Sequence, residues 1–341
     1  MSVRLRFLAS FLLSAVSLGA LQCGSSEGGA GTAVSPSSGA PGGEGPCATR
    51  SGMRGKTSRS LMVGGTARTY IAYLPQSLDA KTAAPFVYVF HGAEMNASLM
   101  YDITQYAQLA DREGIAVAFL DGQGTSSTAG TMTLNPWNVS DNGAQVCGAG
   151  NFANNPTAKV DFEFLDAVKA DVLQDQCLDS AHLFATGFSM GGYFSHHIGC
   201  DRPDIRAVAP GSGGTLASLA ACKTGHVPVI IFHGTSDGLI APGCDDPNSP
   251  AQSGFPPSAT LWAQKNGCKN SYSTVPTMGG GGGKGQCYVY DACPADGQVE
   301  LCTFTGMSHC WAGGGGNGAF ACSTYASATQ LEWDFFKKYA W

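Results

Sequence analysis

Charge is what this sequence has least of. Of 341 residues, 19 are Lys or Arg and 25 are Asp or Glu, so charged side chains make up 13%. That is about half the share of an ordinary soluble protein. There is no basic run and the net charge is −6, which argues against nucleic acid as a partner. C-x-x-C pairs are also lacking. The 13 cysteines stand singly, a poor pattern for a metal centre, so no metal and no cofactor are expected. No internal repeat is present, and no second folded domain. Histidine is scarce, seven in all, so any chemistry that needs a particular histidine has few candidates.

What is present begins with an export signal. Arg4 and Arg6 supply positive charge, and residues 7–21 form an apolar run too short for a comfortable membrane span. Cys23 follows at once. This resembles a bacterial lipoprotein signal, in which the cysteine after the cleavage point is lipidated; an ordinary secretory signal cleaved nearby is the alternative. Residues 1–22 are therefore read as signal peptide. Residues 24–46 are almost entirely Gly, Ser, Ala and Pro, a composition that cannot bury apolar surface, so 23–46 read as a flexible tether. The membrane is a partner only through that lipid. With Cys23 set aside, twelve cysteines remain between Cys47 and Cys322. An even set in an exported domain implies up to six disulfides. Their connectivity is open; a local loop from Cys287 to Cys293 is one expectation.

From residue 47 to 341 strand and helix signals alternate. Residues 67–74 alternate apolar with polar and read as an edge strand ending at Pro75. Continuous apolar runs at 85–90, 115–120 and 227–232 suit strands buried on both faces of a parallel sheet. Residues 182–186, 205–210 and 299–304 add three strands, the last taken as the final one. Residues 100–113, 160–173, 260–266 and 330–339 read as helices, and the glycine run 279–285 as a mobile loop. The expected fold is α/β: a mostly parallel central sheet with helices on both faces, stabilised by disulfides.

At the end of the strand at 182–186 stands Gly187-Phe188-Ser189-Met190-Gly191, followed by a helix-forming stretch. A serine so placed sits on a sharp strand-to-helix turn, its hydroxyl presented over the helix N-terminus. A serine nucleophile needs a base, and the base an acid, in the chain order Ser, acid, His on successive post-strand loops. His309 alone among the seven histidines lies after both. His196 and His197 ride the serine's own helix, about 10 Å along its axis and out of reach. His91 and His233 each follow a buried strand as His-Gly and read as structural loop histidines. Asp237, just past the strand at 227–232, is the expected acid. Asp201, Asp204, Asp245, Asp246, Asp291 and Asp296 compete less well; Asp245 and Asp246 lie in a proline-rich loop with no strand before them. Oxyanion donors are expected from the N–H groups of Met190 and Ala93.

In order along the chain, HG after a buried strand, GFSMGG, HGTSDGLI and GMSHCW resemble the secreted feruloyl esterase and polyhydroxybutyrate depolymerase group of α/β-hydrolases. The resemblance spans roughly residues 57–339. It implies the α/β-hydrolase fold, a monomer without metal or cofactor, an ester substrate, and catalytic roles for Ser189, Asp237 and His309. Trp311 also matches, and with Trp137 it is a candidate wall for an aromatic acyl pocket. Some members pair a cysteine before the serine with one after the histidine. Here Phe188 precedes Ser189, so that pairing is absent, and Cys310 must find another partner, Cys322 or Cys147. The function so implied is an exported serine esterase, feruloyl esters first, polyhydroxybutyrate second, acetyl-xylan third. A non-catalytic binding protein on a hydrolase scaffold is the reading from another class.

Overall fold

The computed structural model describes residues 47, 50, 52–123, 136–140, 145–148, 158–276, 285–315, 320–322 and 326–340. All lie in the second of two units, 44–341. The signal, Cys23, the tether and most of the glycine run lie outside the described residues.

The apolar runs become the middle of a ten-stranded sheet. Strands β1 (Gly55–Val63), β2 (Thr66–Leu74), β3 (Ala84–Phe90), β4 (Ala116–Leu120), β5 (Leu178–Phe188), β6 (Ala207–Gly211), β7 (Val229–Gly234), β8 (Tyr272–Pro276), β9 (Gly285–Tyr290) and β10 (Val299–Phe304) lie in the order β1-β2-β4-β3-β5-β6-β7-β10-β9-β8. The six from β4 to β10 are parallel, and the two at each margin are antiparallel. Strands β3, β4, β6, β7 and β10 are buried along their whole length, as continuous apolar runs require of strands covered on both faces.

Helices supply the two covers. The side chains of α3 (Ala158–Val172), α4 (Met190–Asp201) and α5 (Ser258–Lys265) pack into one core. Those of α1 (Ala97–Thr104), α2 (Tyr106–Glu113) and α6 (Ala328–Phe336) pack into the other. This is the α/β-hydrolase arrangement that the sequence resemblance implies.

The structure corrects four local expectations. Residues 67–74 are not the edge: β1 pairs outside them, its side chains alternating half-buried with exposed. The helix expected at 100–113 is two helices, broken where Gln105 takes a left-handed φ of 58°. The sheet runs on past β7 and β10 into β9 and β8, and two short strands follow β10, β11 (Trp311–Ala312) and β12 (Ala321–Cys322). Finally, Cys287 does not close a loop with Cys293. It bonds Cys302, its cross-strand partner in the β9–β10 pair, while Cys293 bonds Cys268. The other bridges are Cys47–Cys177, Cys147–Cys244, Cys200–Cys222 and Cys310–Cys322, so all twelve cysteines are paired.

One buried carboxyl makes a pH-dependent prediction. Glu332 on α6 is fully buried and bonded by the Tyr106 hydroxyl. Burial pushes it up to about 8, against the hydrogen bond it receives from Tyr106. Its folded value is raised, so folding favours the protonated form. The stability it contributes is complete below the unfolded value near 4.5 and is lost as pH rises through about 8. Glu332→Gln keeps the shape without the charge. The variant is expected to match the parent in Tm near pH 4.5 and to exceed it by several degrees at pH 8.5. Thermal unfolding at both pH values checks this; a Tm difference that does not grow with pH would contradict it.

Candidate active site

The parallel strands deliver the candidate residues at one end of the sheet. The segments after β3, β5, β7 and β10 carry His91–Ala93, Ser189, Asp237 and His309 respectively.

Ser189 stands between β5 and α4 with φ 56° and ψ −117°. A non-glycine residue held there costs about 1–3 kcal/mol, which the surroundings sustain through two backbone bonds. The Ser189 N–H donates to the Gly211 carbonyl at 2.9 Å, and its carbonyl accepts from Tyr193 N–H at 3.0 Å. The flanking glycines are steric necessities. A Cβ on Gly191 would lie 2.2 Å from the Phe90 carbonyl oxygen, and one on Gly187 2.4 Å from the Gly191 carbonyl oxygen. The segment after β3 crosses directly over the serine: a Cβ on Gly92 would lie 3.0 Å from Ser189 Cβ. Ala93 follows on that segment. Met190 opens α4, so its N–H has no carbonyl one turn earlier to bond.

Asp237 is buried, and its two oxygens are divided. Oδ1 accepts from Leu239 N–H and Ile240 N–H, both at 2.9 Å. Oδ2 accepts from His309 Nδ1 at 2.7 Å. The carboxylate thus fixes the histidine with the proton on Nδ1, leaving Nε2 unprotonated in the neutral ring. Burial works against ionisation of Asp237, but hydrogen bonds from His233 and His309 overcome it and hold the carboxyl well below its usual range. The His309 ring also packs on Phe188, the residue before the serine, with ring centroids 4.7 Å apart. The sequence-predicted acid and histidine are thus bonded to each other, with the histidine ring against the residue that precedes Ser189.

The competing acids are occupied elsewhere. Asp201 lies 2.9 Å from His197, and Asp204 bonds Arg202. Asp246 accepts from Asn248 and Ser249, Asp291 from Ser271 and Ser273, and Asp296 faces His226. Asp245 is different: fully buried, it bonds His233, which in turn reaches Asp237. Sequence spacing missed this pair because no strand precedes Asp245. The 3-10 turn Pro242–Cys244 and the Cys147–Cys244 disulfide bring it there.

The two tryptophans expected as walls of an acyl pocket are both buried. Trp137 is fully buried, stacked on Phe194 and bonded through its indole N–H to the His91 carbonyl. Trp311 is buried as well, its N–H on Thr329 Oγ1. Both large rings satisfy their one donor inside the core. His91 and His196 are structural too. Each accepts an N–H on one ring nitrogen and faces a carbonyl with the other, and burial lowers each to about 4, keeping it neutral. Among the described residues no cluster of His, Cys, Asp or Glu could hold a metal ion, and no helix is long and apolar enough to cross a membrane.

Cys310 bonds Cys322, closing the glycine-rich segment that follows the histidine. Glycine loses much entropy on ordering, so a covalent tie next to His309 restrains that residue, and in a catalytic base a small displacement is costly in rate. Cys310→Ser, assayed where circular dichroism shows it folded, is expected to lose several-fold more kcat than folded protein. Unchanged activity per folded molecule would reduce the bridge to a general staple.

No family model matches the chain. In sequence it is similar to feruloyl esterase B of Piromyces equi, 28% identical over 288 residues, covering 80% of this chain and 45% of that one. It is similar also to a probable feruloyl esterase C of Aspergillus oryzae, 31% identical over 167 residues, covering 46% and 57%. The chain thus spans about half the length of these curated relatives. Among solved structures, an acetyl xylan esterase from Aspergillus awamori superposes with a TM-score of 0.52 at 14% identity, over 83% of this chain and 99% of that one. That likeness shows the fold.

Proposed function

We propose that this chain, which has the α/β-hydrolase fold and is related in sequence to feruloyl esterases, is an exported serine carboxylic-ester hydrolase working through an acyl-enzyme. The observation that carries the reading is the Asp237–His309 bond at 2.7 Å beside a serine held at positive φ. His309 Nε2 takes the Ser189 proton as Oγ attacks the ester carbonyl, and returns it to the leaving alcohol. Asp237 holds the Nδ1–H tautomer and stabilises the imidazolium. The N–H groups of Met190 and Ala93 receive the oxyanion. Water then repeats the sequence on the acyl-enzyme. Six disulfides support an oxidising compartment as the place of work.

Feruloyl esters of plant cell-wall polysaccharide are the proposed substrates, because the relatives similar over most of this chain are feruloyl esterases. The test is one purified sample assayed on methyl ferulate, a hydroxybutyrate oligomer and an acetylated xylan. The highest kcat/KM is expected on methyl ferulate. Turnover of either other substrate with none of the ferulate would overturn the assignment, and turnover of none would favour the binding-protein reading.

A further inference from the structure

His233 is the penultimate residue of β7, one turn before Asp237, and is completely buried. Every polar atom around its ring is an acceptor. Nδ1 faces Asp245 Oδ2 at 2.6 Å. Nε2 faces the Ile240 carbonyl at 3.1 Å and Asp237 Oδ2 at 3.4 Å. A neutral imidazole carries one N–H and would turn a lone pair toward oxygen at the other nitrogen. With both carboxyl groups ionised, only the imidazolium, carrying both protons, satisfies both sides. The same Asp237 oxygen serves His309 from the opposite direction.

We propose that His233 is a positioning residue for the triad: a buried imidazolium held between Asp237 and Asp245, it fixes the triad carboxylate and limits how strongly that carboxylate stabilises protonated His309. The proposal rests on the triad reading above. A lone carboxylate buried at this point would be costly, and an unpaired buried ion would neutralise itself. His233 prevents that for two carboxylates at once. Burial alone would depress its proton affinity, but the bonds to Asp237 and Asp245 outweigh it and push the ring up to about 10. The titratable groups around it are few. Asp237 and Asp245 touch it, His309 lies beyond Asp237, and His196 on α4 reaches the free oxygen of Asp245 at 3.9 Å. Tyr193, also on α4, bonds the Cys147 carbonyl and stays protonated, pushed far up by burial.

The imidazolium also sets the pH response. When His309 accepts the serine proton, a second positive charge already sits behind the shared carboxylate. Removing it leaves protonated His309 better stabilised, so the base is lost at a higher pH. His233→Gln retains an N–H at the Nε2 position and no charge. In this variant the acid limb of the kcat/KM profile is expected to move up by about one pH unit, the size of effect one neighbouring charge has at an effective dielectric near 20.

Two measurements on the full chain test this. Nitrogen-15 NMR of ring-labelled histidine in the parent should show His233 as imidazolium at pH 8, assigned by the signal missing from His233→Gln or through the neighbouring backbone should that variant not fold. The pH profile of the variant should show the upward shift. A neutral His233 at pH 8 would overturn the proposal. So would a variant whose kcat falls equally at every pH with the acid limb unmoved, the behaviour of a purely structural residue. If the parent hydrolyses no ester, the catalytic reading fails, while the NMR result still decides the charge on His233.

Discussion

Ser189→Ala is expected to lower kcat about 10⁵–10⁶-fold on any ester the parent hydrolyses, by comparison with triads dissected in other hydrolases. The loss should appear in kcat rather than in binding, because the hydroxyl is the attacking atom and contributes little to ground-state affinity. Stability should scarcely change. Alanine is no easier to hold at φ 56° than serine, and the bonds to Gly211 and Tyr193 use only the backbone. The expected result is thus a folded protein with the parent's Tm and essentially no turnover. Retention of more than about one part in a thousand, well above the residue that dissected triads leave, would mean that another group attacks the ester.

Asp237→Asn is expected to cost about 10⁴ in kcat, the scale seen when a triad acid becomes its amide. The cause is a tautomer. The carboxylate accepts the Nδ1 proton of His309 at 2.7 Å. An amide can turn its NH2 group to that position and drive the proton to Nε2, where the base can no longer accept from serine. The two backbone donors at 2.9 Å, from Leu239 and Ile240, would keep the remaining oxygen in place, so the fold should survive. Raising the pH should recover little, since the fault is the position of a proton. A fully active Asp237→Asn would move the acid to Asp245, which lies on the other side of His233.

The parts of this architecture legible in sequence are those set by local pattern. Runs such as that in β3 are buried on both faces wherever they fall, and the glycines of the serine turn are demanded by backbone contacts near 2.2–2.4 Å. The order of the proposed serine, acid and histidine follows from the way βα units place successive loops at one end of a parallel sheet. The parts that escaped depend on distant chain segments. Strand β1 is half-exposed and polar, so it lacks the hydrophobic pattern of its neighbours. Gln105 breaks a helix with a left-handed backbone conformation that its residue type does not announce. Trp137 and Trp311 illustrate a general ambiguity: an aromatic near a motif fits a pocket wall and a core equally well until its indole partner is known. Asp245 reaches His233 through a disulfide between residues 97 apart, which no spacing rule can supply.

The central claim is that Ser189 is a nucleophile activated by His309, and covalent capture tests it most directly. The folded protein would be incubated with an excess of an aryl phosphonate that reacts with activated serines, then analysed by intact mass and peptide mapping. The account predicts one adduct per molecule, located on Ser189, forming at the rate at which hydrolysis is lost, and absent from Ser189→Ala. An adduct on a different residue, or a folded protein that hydrolyses esters without being labelled at Ser189, would contradict it.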